Sequence, residues 1–150
     1  MKKLFFIAAA LVAGFTVMAQ KPDELVKLSA ETYNFGKIKQ GVPVTTSFTV
    51  SNTSDKPIVL ESVTASCGCT TPEWSKEPIA PGSTAQIKVG YNAAGVAPFT
   101  KDITIKLAGV QEVKVIHITG EVLTTDAYAA YQKTDEYKKE TSKNKKIKSW

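Results

Sequence analysis

Two cysteines separated by one glycine are the residues of this 150-residue chain whose types and spacing could do chemistry. They stand in the run Cys67-Gly68-Cys69-Thr70, where both cysteines continue the inward parity of the apolar alternation before them. On an extended strand their Cα atoms would lie about 6.6–6.8 Å apart, at the limit for a disulfide, and a turn at Gly68 would bring them closer. A bridge closing so small a ring would be strained, and strained bridges are easily reduced.

Three alternatives follow for this Cys-Gly-Cys-Thr element. In the first, both cysteines are small buried apolar side chains at a strand end, since free cysteine is among the most buried residue types. They could instead form a Cys67–Cys69 disulfide in an oxidising compartment. The third alternative is a functional dithiol, for thiol–disulfide exchange or for binding a soft metal such as copper(I). The inward parity favours packing for Cys67, and all three alternatives stay open.

Other catalytic or metal-binding patterns are missing from the sequence. The chain has one histidine and no arginine, and no serine stands in a Gly-x-Ser-x-Gly setting, so no pair of base and nucleophile can be assembled. His117 lies between two isoleucines on a predicted strand and is expected at the surface. Two cysteines and one histidine are too few for a zinc finger. We therefore expect no enzyme and no cofactor.

Two further motifs have structural interpretations. Trp74, just after the Cys-Gly-Cys-Thr element, is expected to pack on the core rather than to form an exposed anchor. Asn52-Thr53-Ser54 matches a glycosylation sequon, but it also reads as a turn held by the asparagine side chain, and we favour the turn.

The first 19 residues have the features of a secretory signal peptide. Lys2-Lys3 precede the apolar run Leu4–Val17, and cleavage is expected between Ala19 and Gln20. No cysteine near the cut could accept a lipid, and no other segment approaches the 18 apolar residues of a membrane span. The mature protein is thus expected to be exported to the periplasm or the extracellular space, without a lipid anchor or a transmembrane segment.

Charge divides the mature chain into two parts. Residues 20–125 contain ten lysines and ten acidic residues, whereas residues 126–150 contain seven lysines and four acidic residues. The basic excess therefore describes a lysine-rich tail, expected to be helical or disordered, and no binding face on the body. A nucleic-acid partner would call for arginine-rich clusters with aromatic residues between them, so we exclude one.

The body, residues 20–125, alternates apolar and polar residues with a period of two between turn signals. Such alternation is typical of strands with one buried and one exposed face, and the short connections favour antiparallel pairing. Phase changes near Glu61-Ser62 and Val115-Ile116 indicate either β-bulges or strands buried on both faces. About seven strands in roughly 100 residues predict an all-β, immunoglobulin-like antiparallel β-sandwich. The predicted strands are Val26–Leu28, Thr32–Phe35, Val44–Ser51, Ile58–Ser66, Ala85–Tyr91, Phe99–Leu107 and Val113–Leu123.

From about Glu31 to Val122 the chain resembles the exported bacterial family catalogued as domain of unknown function 1573. The resemblance is carried, in order, by Phe35-Gly36-Lys37-Ile38 with Gly41, Phe48 with Val50-Ser51-Asn52-Thr53, Ser66-Cys67-Gly68-Cys69-Thr70, and Pro81-Gly82. It implies an immunoglobulin-like fold and carries over no reaction. Many members have a lipid-anchored cysteine or repeated copies, and this chain shows neither.

These observations predict an exported, non-enzymatic binding or scaffold module of the cell envelope. Its loops or an edge strand would contact another protein or a polymer of the envelope, since these are the natural recognition surfaces of such sandwiches. The alternative is a small periplasmic thiol–disulfide or copper-handling protein that uses Cys67 and Cys69.

Overall fold

The computed structural model describes residues 21–147, with side chains through residue 142; the predicted signal peptide lies outside these residues. The described chain folds into two packed four-stranded sheets followed by two helices. Sheet 1 has the order β1-β3-β6-β5, and sheet 2 has the order β2-β8-β7-β4. In chain order the elements are α1 (Pro22–Leu25), β1 (Val26–Leu28), β2 (Thr32–Lys39), β3 (Val44–Asn52), β4 (Leu60–Ala65), β5 (Thr70–Trp74), β6 (Thr84–Tyr91), β7 (Pro98–Leu107), β8 (Val113–Leu123), α2 (Thr125–Tyr131) and α3 (Asp135–Ile147).

The core lies between the two sheets and is built from the alternation that the sequence shows. In sheet 1, Phe48 on β3 is paired with Ile87 on β6, and both side chains are fully buried. In sheet 2, Ile103 on β7 is paired with Ile116 on β8, and these side chains are fully buried as well. Each of these strands turns every second residue inward, so apolar area from both sheets is removed from water along one continuous layer. The predicted all-β sandwich is confirmed.

Two features of the architecture differ from the sequence-based expectation. An eighth strand, β5, follows the cysteines and pairs with β6. The strands are antiparallel except for β2 and β8, which pair in parallel from Thr32 beside His117 to Lys39 beside Leu123. The expectation of antiparallel pairing throughout is therefore wrong for this pair. The long crossover that parallel strands require is supplied here by the rest of the sandwich and not by a helix.

One of the two predicted bulges is present. The pairing of β4 with β7 shifts register between Leu60 and Ser62, as predicted near Glu61-Ser62. The pairing of β7 with β8 is unbroken through Val115-Ile116, so the second predicted bulge is wrong. The phase changes there because β8 begins with an apolar side chain on its outer face, and Val113 is 47% exposed.

The C-terminal tail is helical as far as Ile147, where the described residues end, and it contacts sheet 2. Thr124 caps α2 by accepting a hydrogen bond from the Ala127 N–H at 3.3 Å. Tyr131 is buried, and its hydroxyl donates to the Glu140 carboxylate on α3. Lys37 on β2 lies over the Tyr131 ring, with Nζ 4.8 Å from the ring centre. Burial, together with the Glu140 contact, raises the pKa of Tyr131 above its ordinary value. No helix within residues 21–147 is both long and apolar enough to cross a bilayer.

Candidate functional site

The two cysteines lie in the turn that carries the chain from sheet 2 to sheet 1. β4 ends at Ala65, and β5 begins at Thr70 in the other sheet, so residues 66–69 bridge the end of the sandwich. The Sγ atoms of Cys67 and Cys69 are bonded, with the two Cα atoms 5.3 Å apart. Gly68 is exposed at the tip, while both cysteines are half-buried. The cysteines are therefore a disulfide on a turn and not fully buried free thiols, and neither sulfur is available to copper(I) in this state.

Backbone hydrogen bonds hold this turn independently of the sulfur atoms. The Thr70 N–H donates to the Cys67 carbonyl at 3.2 Å, and the Asn92 N–H donates to the Cys69 carbonyl at 3.1 Å. Just before the turn, the Ser66 N–H donates to the Asp102 carbonyl at 2.9 Å. Each cysteine is thus fixed to a neighbouring strand or loop through its own or an adjacent peptide group.

Thr70 places a hydroxyl beneath both sulfur atoms. The residue is only 3% exposed, and its Oγ1 lies 3.7 Å from the Sγ of Cys67 and 3.9 Å from the Sγ of Cys69. These distances are within the range of weak hydrogen bonds involving sulfur. The sequence singled out Thr70 as part of the motif, but its contact with both sulfurs depends on the turn between the sheets and is visible only in the structure.

A shallow cleft of about 220 Å³ opens beside the disulfide on the outer face of sheet 1. Gly90 on β6 lies at its floor, between Thr45 on β3 and Thr71 on β5, which are its register partners on either side. The missing side chain at Gly90 leaves a groove between the two threonines. Cys69 lines one end of this groove, which we call the Gly90 cleft.

Three loops meet at the same end of the sandwich, and we call them the disulfide-end loops: residues 40–43, 66–69 and 92–97. The Gly41 N–H donates to the Ala93 carbonyl at 2.9 Å, and the Gln40 side-chain amide donates to the Ala94 carbonyl at 3.1 Å. Together with the Asn92–Cys69 bond, these contacts join all three loops. Ala93 is buried with a φ of 52°, a conformation that costs a non-glycine residue energy and that its surroundings must impose.

Apolar side chains project from two of these loops. Val42 is 47% exposed and Val96 is 46% exposed. Both were missed by the sequence analysis, although each stands among turn-forming residues, in Gly41-Val42-Pro43 and Gly95-Val96-Ala97-Pro98. Strand alternation does not explain a valine within such a turn segment. An apolar residue in a turn is therefore the sequence signal that could have identified both positions.

The remaining sequence-predicted residues lie away from this end or within the core. His117 faces the outside of sheet 2, as expected, with Nδ1 2.8 Å from Oδ1 of Asp102 on the neighbouring strand. Trp74 packs against the core, as expected, and its Nε1 donates to the Leu60 carbonyl at 3.2 Å. Asn52 forms the expected turn by accepting from the Ser54 N–H at 2.9 Å. Among the residues with described side chains, no three histidine, cysteine or acidic groups are clustered as metal ligands.

Comparison with known proteins identifies a family and a fold. The sequence model of the family described as "Protein of unknown function (DUF1573)" matches residues 26–122, more than half of the chain. No curated protein matches the sequence. A solved protein of unknown function from Porphyromonas gingivalis W83 is 20% identical, with a TM-score of 0.57 over 65% of this chain and 46% of that chain.

Two other solved structures share the architecture. The VesB protease of Vibrio cholerae is 17% identical, with a TM-score of 0.54 over 66% of this chain and 32% of the protease. The ASH/PapD-like domain of human CEP192 is 8% identical, with a TM-score of 0.58 over 81% of this chain and 99% of that domain. This chain therefore spans less than half the length of the first two structures. At these identities the likeness shows the fold alone, an immunoglobulin-like sandwich of the kind to which PapD belongs.

Proposed function

Because the chain belongs to the DUF1573 family of proteins of unknown function, we propose that it is an exported, non-enzymatic binding module of the cell envelope. The disulfide-end loops would form the contact surface, and another protein or a polymer of the envelope would be the partner. Export rests on the signal peptide that the sequence predicts over residues 1–19.

The observation that carries the proposal is the pair of exposed valines on loops that are tied to one another. Val42 and Val96 stand on separate loops, and the bonds of Gly41 to Ala93 and of Gln40 to Ala94 fix the loops together. A surface that is already ordered loses little conformational entropy when it binds, so exposed apolar side chains on it contribute more fully to affinity. Loop ends of sandwich domains are a common location for such surfaces.

The charge distribution is consistent with a contact of this kind. Residues 20–125 are neutral overall, and the outer face beside the loops presents hydroxyl groups at Thr45 and Thr71 with the single ion pair Lys88–Glu73 at 3.5 Å among its described residues. A neutral surface is not steered by long-range charge, so apolar contact and hydrogen bonds would supply the affinity. We therefore expect binding to depend weakly on salt concentration.

Site-specific crosslinking tests the proposal, and the chain offers a matched control. Val113 is as exposed as Val42, but it lies at the start of β8, at the opposite end of the sandwich. A photoreactive residue at position 42 or 96 should capture one envelope component, identified by mass spectrometry, whereas the same residue at position 113 should not. The proposal is contradicted if capture is equal from both ends.

A second measurement uses affinity for the captured component. The double variant Val42→Ser with Val96→Ser should bind about tenfold more weakly, which corresponds to about 1.4 kcal/mol. The variant Val113→Ser should bind as the unaltered protein does. Full binding by the double variant would show that the disulfide-end loops are not the contact surface.

A further inference from the structure

We propose that the Cys67–Cys69 disulfide is a reversible redox site that accepts electrons from the thiols of a protein segment entering the Gly90 cleft. This activity is additional to the binding function proposed above. It does not depend on whether that function is correct. It rests on four properties of the disulfide-end turn: the small ring, the accessibility of the sulfurs, the independent anchoring of the backbone, and the position of Thr70.

The ring that the bond closes is small, so the bond contributes little to the stability of the fold. Only one residue separates the cysteines, and the stabilisation that a cross-link gives by restricting the unfolded chain grows with the length of the closed loop. A loop of three residues lies at the bottom of that range. The bond also links no two strands, because both cysteines lie within the turn of residues 66–69.

The sulfurs can be reached by a reactant. Gly68 is exposed, both cysteines are half-buried, and Cys69 lines the end of the Gly90 cleft. An attacking thiolate must approach a disulfide sulfur, and Cys69, which packs against the core on one side, borders the cleft on the other. Thr45 and Thr71 flank the same groove, where an extended peptide could lie across the missing side chain of Gly90.

The turn is built to survive opening of the bond. The hydrogen bonds from Thr70 N–H to Cys67 and from Asn92 N–H to Cys69 involve only the backbone, so they persist when the sulfurs separate. They would hold the two reduced thiols next to each other, ready to close again. Exchange can therefore proceed without local unfolding.

Thr70 lies where a released thiolate would need stabilisation. Its Oγ1 is buried and is 3.7 Å from the Sγ of Cys67. A hydroxyl that donates to a thiolate favours the charged form, which lowers the thiol pKa and makes that sulfur a better leaving group. Thr70 acts here as a positioning residue, and Cys67 is the leaving sulfur.

The electron balance is that of ordinary thiol–disulfide exchange. A thiolate of the partner segment attacks the Sγ of Cys69, the bond between the two sulfurs breaks, and its electron pair leaves on Cys67, which takes up a proton. A second thiol of the segment attacks the resulting mixed disulfide and releases Cys69. The segment loses two electrons and two protons to form one disulfide, and the chain gains both as two thiols.

Single-turnover exchange with a synthetic peptide that carries two cysteines tests the assignment. The oxidised full chain should convert one equivalent of peptide to its disulfide while its circular dichroism stays unchanged. Thr70→Val should slow the reaction about tenfold, the size expected for losing a hydrogen bond to a charged group. Thr70→Val should also raise the thiol pKa of the reduced chain, followed by thiolate absorbance. Thr70→Ser, which keeps the hydroxyl, should restore both.

An exposed threonine outside the cleft supplies the matched control. Thr64 lies on β4 in sheet 2 and does not line the Gly90 cleft, so Thr64→Val should leave both the exchange rate and the thiol pKa unchanged. The proposal is overturned if the peptide is oxidised only when urea has unfolded the chain. Equal exchange rates for Thr70→Val and Thr70→Ser would show that the Thr70 hydroxyl has no role in the reaction.

Discussion

Replacing Asn52 with alanine should destabilise the sandwich by about 3 kcal/mol, since each hydrogen bond lost contributes roughly 0.5–1.5 kcal/mol. Asn52 ends β3 and is 1% exposed. Its Nδ2 donates to the Lys56 carbonyl at 2.7 Å and to the Ile79 carbonyl at 2.8 Å, and its Oδ1 accepts from the N–H and the hydroxyl of Ser54 at 2.9 and 2.8 Å. One side chain thus joins the end of β3 to the turn after it and to the segment before β6.

The estimate lies in the lower half of the range for four bonds because both carbonyls keep another donor. The Ile58 N–H donates to the Ile79 carbonyl at 3.0 Å, and the Ser54 hydroxyl, whose one hydrogen is shared between Asn52 Oδ1 and the Lys56 carbonyl, lies 3.0 Å from that carbonyl. The backbone of Asn52 is unaffected, since its N–H donates to Ser83 and its carbonyl accepts from Gly82. The loss should therefore come from the side chain alone, without disturbing the pairing of β3.

Urea unfolding followed by tryptophan fluorescence and circular dichroism measures the effect. With a slope of about 1.5 kcal/mol per M for a domain of this size, the midpoint should fall by about 2 M at an unchanged slope. Asn92→Ala is the matched control, because that asparagine is exposed and accepts one bond, from the Ala94 N–H at 3.2 Å. Its effect should stay below about 0.5 kcal/mol. If the two variants differ by less than about 1 kcal/mol, the role assigned to Asn52 is refuted.

Four further predictions concern other parts of the chain. Mass mapping of protein from the exported fraction should find Gln20 at the N-terminus, and retention of the preceding residues would contradict export by a cleaved signal peptide. Deleting Asp126–Trp150 should remove most of the helical circular dichroism while unfolding stays cooperative; loss of cooperativity would make the tail part of the core. Gly120→Ala should cost about 1–3 kcal/mol by urea unfolding, because its Cβ would lie 2.8 Å from the Phe99 ring. Hydrogen bonds to the carboxylates of Asp23 and Glu31 raise the pKa of Lys114 above its ordinary value of 10.5. The stabilisation that these bonds give to the fold is therefore complete below pH 10.5 and is lost as the pH rises through the raised pKa of the folded chain. Lys114→Met should therefore be less stable than the unaltered chain at pH 8, with a difference that shrinks as the pH rises beyond 10.5, and a difference independent of pH would contradict this.

The strands that alternate regularly could be predicted from sequence, while the partners of each strand could not. β3, β6 and β7 bury every second residue, which leaves a direct record in the sequence. β5 leaves no such record, because Thr70–Trp74 contains a proline and polar residues and is ordered by pairing with β6. Nothing local in β2 or β8 indicates that they pair in parallel, since that depends on the closure of the whole sandwich.

The candidate site could be predicted only in part, because some of its features are local in sequence and others depend on the whole sandwich. The spacing of Cys67 and Cys69 predicts that a turn at Gly68 can bring them together, which is a local property of three residues. Thr70 has the parity of an outward residue on a continuing strand. It is buried because the chain leaves sheet 2 and enters sheet 1 at this point, so the alternation restarts.

The parallel pair of β2 and β8 has a consequence for the order of folding. Its contacts join the beginning of the sandwich to its end, and such long-range contacts slow folding to about milliseconds to seconds. Sheet 2 cannot be completed until β8 has been synthesised, so a chain emerging from the ribosome, or threading through a membrane, stays open until its last strand arrives. The cysteines, by contrast, are neighbours within one turn and can pair before any sheet forms. Oxidation therefore cannot trap a wrong topology while the chain waits for β8.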